Sequence, residues 1–201
     1  QALRWLQKLP GLPMALQGAA ASGSAELTAS WLGGWLDPAL QARLEVPSLD
    51  WRTMAPGAAN TSPGLLKIRA LQATLSGRLN QAQLSTQGRI EVDQRRYALQ
   101  LAAEGGRGKP VGAKVAESAW QGLIKQLRVS VEDPALGAGA WRLETRGAVP
   151  LKWTSTRTGG AFESGAGEAL LSAPSAKSAV IAPAQATLAW QPVHWRGAEL
   201  V

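Results

Sequence analysis

Leu71–Ala103 reads LQATLSGRLNQAQLSTQGRIEVDQRRYALQLAA. Leu71, Ala73, Leu75, Gly77 and Leu79 hold the odd positions against Gln72, Thr74, Ser76 and Arg78. Across Asn80-Gln81 the phase flips, and Ala82, Leu84, Ile90 and Val92 take the even positions against Gln83, Ser85, Gln87, Arg89 and Glu91. It flips again across Asp93–Arg96, where Tyr97, Leu99, Leu101 and Ala103 return to odd numbers. Period two sends alternate side chains to opposite faces of a strand. A phase change at a polar break marks a reversal. The stretch therefore predicts a three-strand antiparallel meander with one apolar and one polar face.

The same pattern extends in both directions. Upstream, Ala25, Leu27, Ala29 and Trp31 alternate with polar residues, and Gly33-Gly34 and Asp37-Pro38 supply a break. Leu40, Ala42, Leu44 and Val46 form the returning strand, which Pro47 is expected to end, with a short strand at Trp51. Met54–Gly64 reads as a loop. Leu66, Ile68 and Ala70 alternate, but Leu71 breaks their parity, so a bulge is expected at Ala70-Leu71. Downstream, Gly105–Pro110 ends the meander. Val111–Lys125 fits helix or strand, whereas Leu127, Val129 and Val131 alternate as a strand. Asp133-Pro134 turns the chain, and Trp141–Gly147 and Leu151–Trp153 follow as strand. Thr154–Gly160 reads as a polar turn, Phe162–Ser172 as a Gly- and Ala-rich strand, and the segment between Pro174 and Pro183 as a linker. Thr187–Trp190 and Val193–Leu200 are expected to form a last hairpin around Gln191-Pro192. At the N-terminus Ala2, Trp5, Leu6 and Leu9 fit a short amphipathic helix stopped by Pro10-Gly11.

Composition narrows the chemistry. The chain has 201 residues, no Cys and one His, so thiolate ligands, disulfides and multi-His metal centres are excluded. A formal charge of +7 points to acidic partners in general, but the 21 Lys and Arg are scattered and no nucleic-acid-reading motif is present. No apolar run reaches the 18 or so residues of a membrane-spanning helix. No Gly-x-Ser-x-Gly, His-Glu-x-x-His or calcium-loop pattern occurs, and His194 in WQPVHWRG has no nucleophile motif to serve. Neither catalytic residues, a metal nor a cofactor is implied. Nine Trp against one Tyr and one Phe stand out. Trp31, Trp141 and Trp190 share parity with their strands' apolar faces. Such rings serve cores and apolar–polar boundaries alike.

Several stretches carry a family likeness: WLQKLPGLP, GSAELTASWLGGWLDPALQARL, GAGEALLSAP and ATLAWQPVHWRGAEL. With Trp-x-Gly-Gly-Trp at Trp31–Trp35, the Asp-Pro after it and Trp-x-Pro-Val-x-Trp at Trp190–Trp195, most of the chain resembles the translocation and assembly module inner-membrane subunit family (TamB), within the AsmA-like group. The resemblance implies a long periplasmic protein anchored in the bacterial inner membrane. It implies repeated strands curling into an open trough, and a role in outer-membrane biogenesis: assembly of outer-membrane proteins with a barrel partner, and movement of phospholipid between membranes. The present chain, without an initiator Met, is expected to be one interior segment of such a protein.

The expected fold is all-β: an elongated antiparallel meander of long strands curving into an open hydrophobic trough, or half-pipe, with a short N-terminal helix. Residues 1–13 would be helix and linker, 14–110 a first hairpin set and 111–201 a second, in one continuous segment. The candidate groove lining is Leu27, Trp31, Leu44, Leu75, Leu79, Leu84, Ile90, Val92, Leu99, Leu101, Leu127, Val129, Val131, Trp141, Leu143, Leu188 and Trp190. Its expected partners are phospholipid acyl chains, and a tail of about sixteen carbons gains at most ~12 kcal/mol at ~0.8 per buried CH2, before binding costs. The alternatives are a chaperone-like scaffold that templates strands through free sheet edges and an ordinary two-layer β-sandwich binding domain. An enzyme is not expected.

Overall fold

The computed structural model describes residues 20–34, 36–53, 64–108, 118–156, 159–174, 184–196 and 199–200. Alternation in the sequence becomes strand almost throughout them. Thirteen strands join in one antiparallel sheet. They are β1 (Ala20–Leu32), β2 (Ala39–Thr53), β3 (Gly64–Arg78), β4 (Gln81–Val92), β5 (Arg95–Arg107), β6 (Ser118–Glu132), β7 (Ala140–Thr145), β8 (Val149–Thr156), β9 (Gly159–Ser164), β10 (Gly167–Ser172), β11 (Gln185–Trp190), β12 (Val193–Arg196) and β13 (Glu199–Leu200). The sheet is open, with β1 at one end of the strand order. At ~3.3 Å per residue the longest strands span about 50 Å.

β1 to β6 pair strictly in sequence order. Beyond β6 the meander continues with interrupted rungs. β7 pairs with the C-terminal part of β6 and β8 with its N-terminal part, so the two lie end to end. β9 and β10 return beside β8 and β7, and β11 and β12 run back beside β10 and β9. Two local readings are thereby corrected. Phe162–Ser172 is two strands, broken at Gly165-Ala166. Gln191-Pro192 is a break within one rung and not a hairpin turn, because β11 and β12 each pair with a different neighbour. Pro192 has no N–H to give a ladder, which makes it as suitable for a mid-rung irregularity as for a reversal.

The reversals at Leu79-Asn80 and Asp93-Gln94 fall where the phase changes. Val111–Lys125 is strand from Ser118 onward. The strand at Trp153 extends to Thr156 and the next begins at Gly159, so most of the expected turn at Thr154–Gly160 is strand. The N-terminal helix, the loop at 54–63, residues 111–117 and the linker at 175–183 lie outside the described residues. Among the described residues, the one helical element is a 3-10 turn, Pro134–Leu136, capped by Asp133, whose Oδ1 accepts the Ala135 N–H at 3.0 Å.

Irregularities keep the faces in phase. In β3 the pairing to β4 skips Ala70-Leu71, and Ala70 takes φ +49°. β2 does not stop at Pro47 but runs on to Thr53. Pro47 sits opposite Ala70, between the pairs Val46↔Leu71 and Ser48↔Arg69. The β1–β2 register shifts at the same level, between Ser24 and Glu26. A proline in a bulge costs no ladder hydrogen bond, which is why it failed to end the strand. β6 carries a further shift opposite Ala102/Ala103.

Asp37 ties three strands together. Its Oδ2 accepts Arg78 Nε at 2.6 Å, its Oδ1 accepts the Asn80 N–H at 3.0 Å, and its carbonyl accepts Arg78 Nη2 at 3.0 Å. The neighbouring Pro38 is fully buried, and its carbonyl accepts the Leu79 N–H at 3.0 Å.

Two predictions follow from these joints. Left-handed backbone costs a residue with a Cβ roughly 1–2 kcal/mol, and a β-branched side chain suffers most. Ala70 already carries that cost, so Ala70→Gly should leave the urea midpoint unchanged or raise it by the equivalent of up to about 1 kcal/mol, whereas β-branched Ala70→Val should lower it. The Arg78 hydrogen bond, and then that from Asn80, hold the Asp37 carboxyl below its ordinary pKa. A depressed folded-state pKa contributes stability above the unfolded value of about 3.9 and loses it as pH falls through the lower folded value. As pH falls below about 4, the Asn80 amide should lose protection relative to its intrinsic exchange rate in the wild type. Asp37→Asn should flatten that acid limb.

Candidate functional site

Directly opposed residues of an antiparallel pair share a face, so the register assigns every side chain. One row across the sheet runs Leu49–Ile68–Ile90–Tyr97–Val131–Trp141. Another runs Ala42–Leu75–Leu84–Ala103–Ile124–Val149. The intervening rows add Leu44, Val46, Leu71, Leu99, Leu101, Leu127, Val129, Leu143 and Leu171. The reverse face is Ser, Thr, Gln and charged residues for most of its extent. The two faces of one layer thus differ sharply in chemistry over most of the sheet.

Sixteen of the seventeen sequence-derived candidates lie on the apolar face. Leu27 and Trp31 (β1), Leu44 (β2), Leu75 (β3), Leu84, Ile90 and Val92 (β4) and Leu99 and Leu101 (β5) stand in the first half. Leu127, Val129 and Val131 (β6), Trp141 and Leu143 (β7) and Leu188 and Trp190 (β11) stand in the second. Leu79 is in the β3–β4 turn, at the rim. The strands do not bury this face. Among the described residues the buried apolar side chains are Val46, Val149, Ala169 and Pro38. Leu27 retains 68% of its surface, Leu188 46% and Leu84 37%. A two-layer sandwich would have sealed these residues. The described residues form one sheet, with no second layer.

One aromatic group was missed. Trp120, Trp153, Phe162 and Trp195 form a continuous cross-strand row over β6, β8, β9 and β12. Trp153 and Trp195 stack with ring centroids 6.3 Å apart and planes 24° from parallel. The Trp153 ring lies across Gly160 and the Trp190 ring across Gly167, where any Cβ would collide with the indole. Glycine here leaves a flat seat, and the large ring replaces the missing cross-strand side chain. The four residues sit at different distances from their strand ends, so only the register aligns the row.

The polar face is held by exposed ion pairs. Arg96–Glu132 (3.7 Å), Arg128–Glu144 (2.5 Å) and Lys152–Glu163 (3.5 Å) are directly opposed. The hydrogen bonds from Arg128 and then Gln126 keep the Glu144 carboxyl below its usual range. His194 Nδ1 lies 3.9 Å from Glu163 Oε1. Among the described residues no group of three or more His, Asp or Glu is placed to hold a metal ion. No helix among them is long and apolar enough to cross a membrane.

Comparisons with protein-family models, with curated proteins and with solved structures returned no match to this chain.

The flat Trp seats are testable. Gly160→Val should lift the Trp153 ring and abolish the near-UV circular-dichroism signal of the Trp153–Trp195 stack. Gly34→Ala, whose Cβ meets no atom within 4 Å, should leave that signal intact.

Proposed function

We propose that this chain supplies a length of hydrophobic groove for phospholipid acyl chains, within a periplasmic component of outer-membrane biogenesis akin to the translocation and assembly module inner-membrane subunit family. One observation carries the reading: an apolar face continuous across the whole sheet, with no second layer among the described residues. Contiguous exposed apolar surface beyond a few hundred Å² marks an interaction site. Repetition of equivalent rows suits a ligand that slides, since neighbouring positions offer similar energies. The role is one of binding and guiding, without catalysis. In this reading the barrel partner that the resemblance implies, and anchorage in the inner membrane, belong to the wider protein.

Lipid extraction of the purified chain, followed by mass spectrometry, should recover phospholipid. Leu84→Asp places a charge on the apolar face, and Gln83→Asp places the same charge on the polar one. Burial of one Leu is worth about 1.5–3 kcal/mol. Leu84→Asp should therefore weaken binding of a fluorescent phospholipid about tenfold or more, and Gln83→Asp should leave it near wild type. Equal lipid binding by the two variants would sink the proposal. Binding of unfolded polypeptide that survives Leu84→Asp would favour strand templating along β1 instead.

A further inference from the structure

The polar face holds one row that departs from its surroundings. Asp50, Lys67, Glu91, Arg96 and Glu132 lie directly opposite one another on β2 to β6, with alternating sign. The adjacent row reads Ser48–Arg69–Arg89–Ala98–Ser130–Arg142–Ser172, with three arginines and no acid. Arg69 and Arg89 are directly opposed, an arrangement of like charge that destabilises a sheet. Arg69 is compensated by Asp50 at 2.6 Å. Arg89 and Arg142 have no carboxylate within ion-pair distance among the described residues, and both are exposed.

These two arginines face each other across an open cleft of about 400 Å³. Ala98 and Ser130 form its floor, small enough to leave room above the strands. Gln87 and Gln100 line one end beside Arg128, which is occupied by Glu144. From β4 to β7 is three strand spacings, about 14 Å, a span that two arginine side chains reaching inward can close on one group. Guanidinium forks match the oxygens of phosphate and bind them bidentately. The Ser130 hydroxyl at the floor and the Gln87 and Gln100 amides at one end suit the remaining oxygens.

We propose that this cleft binds a phosphate group, clamped by Arg89 from one side and Arg142 from the other. The site lies on the face opposite the apolar rows, so it stands independently of the lipid reading. The phosphate belongs either to a soluble phosphate compound or to the headgroups of a membrane surface lying against the polar face.

Isothermal titration of the whole chain with pyrophosphate, at low ionic strength, tests the soluble source. Vesicles of phosphatidylglycerol, compared with phosphatidylcholine, test the membrane one. R89Q/R142Q keeps side-chain length while removing both charges, and its urea midpoint should match wild type. Pyrophosphate binding should be saturable in the wild type and about tenfold or more weaker in R89Q/R142Q. It should be unchanged in R43Q, whose arginine is already paired with Glu45 elsewhere on the face. Binding of phosphatidylglycerol vesicles alone, lost in R89Q/R142Q, assigns the phosphate to a membrane and keeps the clamp. Equal pyrophosphate affinity in wild type and R89Q/R142Q overturns the proposal. So does failure of the wild type to bind either probe.

Discussion

The backbone ladder of a single sheet carries this structure. Each interstrand hydrogen bond contributes roughly 0.5–1.5 kcal/mol net, and cross-strand side-chain pairs add about 0.2–1 kcal/mol each. In most domains a buried core dominates these terms. Here the buried apolar residues among those described are few and small, and the long strands β2 to β6 stack their side chains only against neighbours in the same layer. A row such as Leu75–Leu84–Ala103–Ile124 is dry on its flanks and open above. Register therefore matters more than packing depth: a slip of one residue would invert both faces at once.

The bulges enforce that register. Pro47 and Ala70 sit opposite each other and shift both strands by one residue at the same level. Without that shared shift, Leu49 and Trp51 on β2 and Leu66 and Ile68 on β3 would project into the polar face. The later rungs use breaks at Gly165-Ala166 and Gln191-Pro192 for the same purpose, so Leu188 and Trp190 share a face with Val193 and Trp195 despite their opposite parity. Irregular positions that look like defects in a strand are what make the apolar face continuous.

Two chemically opposed faces on one layer give the molecule two separate opportunities for binding. The apolar face has surface to bury and no partner within the described sheet. The polar face neutralises most of its charge by cross-strand pairing, which is worth little in stability at exposed sites but fixes which cations remain uncompensated. The tryptophans of the described strands belong to the first face. Lying flat over Gly160 and Gly167, the rings of Trp153 and Trp190 broaden it without closing it.

Period-two alternation by itself determined the strands, the dry face and most of its lining, because side-chain direction in a strand depends only on parity between breaks. It also located the bulge at Ala70-Leu71, since one displaced Leu is a local signal. It misread Pro47 and Gln191-Pro192, because a proline that ends a strand and one that occupies a bulge are identical in sequence. The partner strand makes the difference, by requiring or not requiring the missing N–H. Likewise, Trp120, Trp153, Phe162 and Trp195 lie on four different strands, and Arg89 and Arg142 are separated by two further strands. Only the tertiary structure aligned them. Rows across a sheet are set by interstrand register, a long-range property that no local pattern contains.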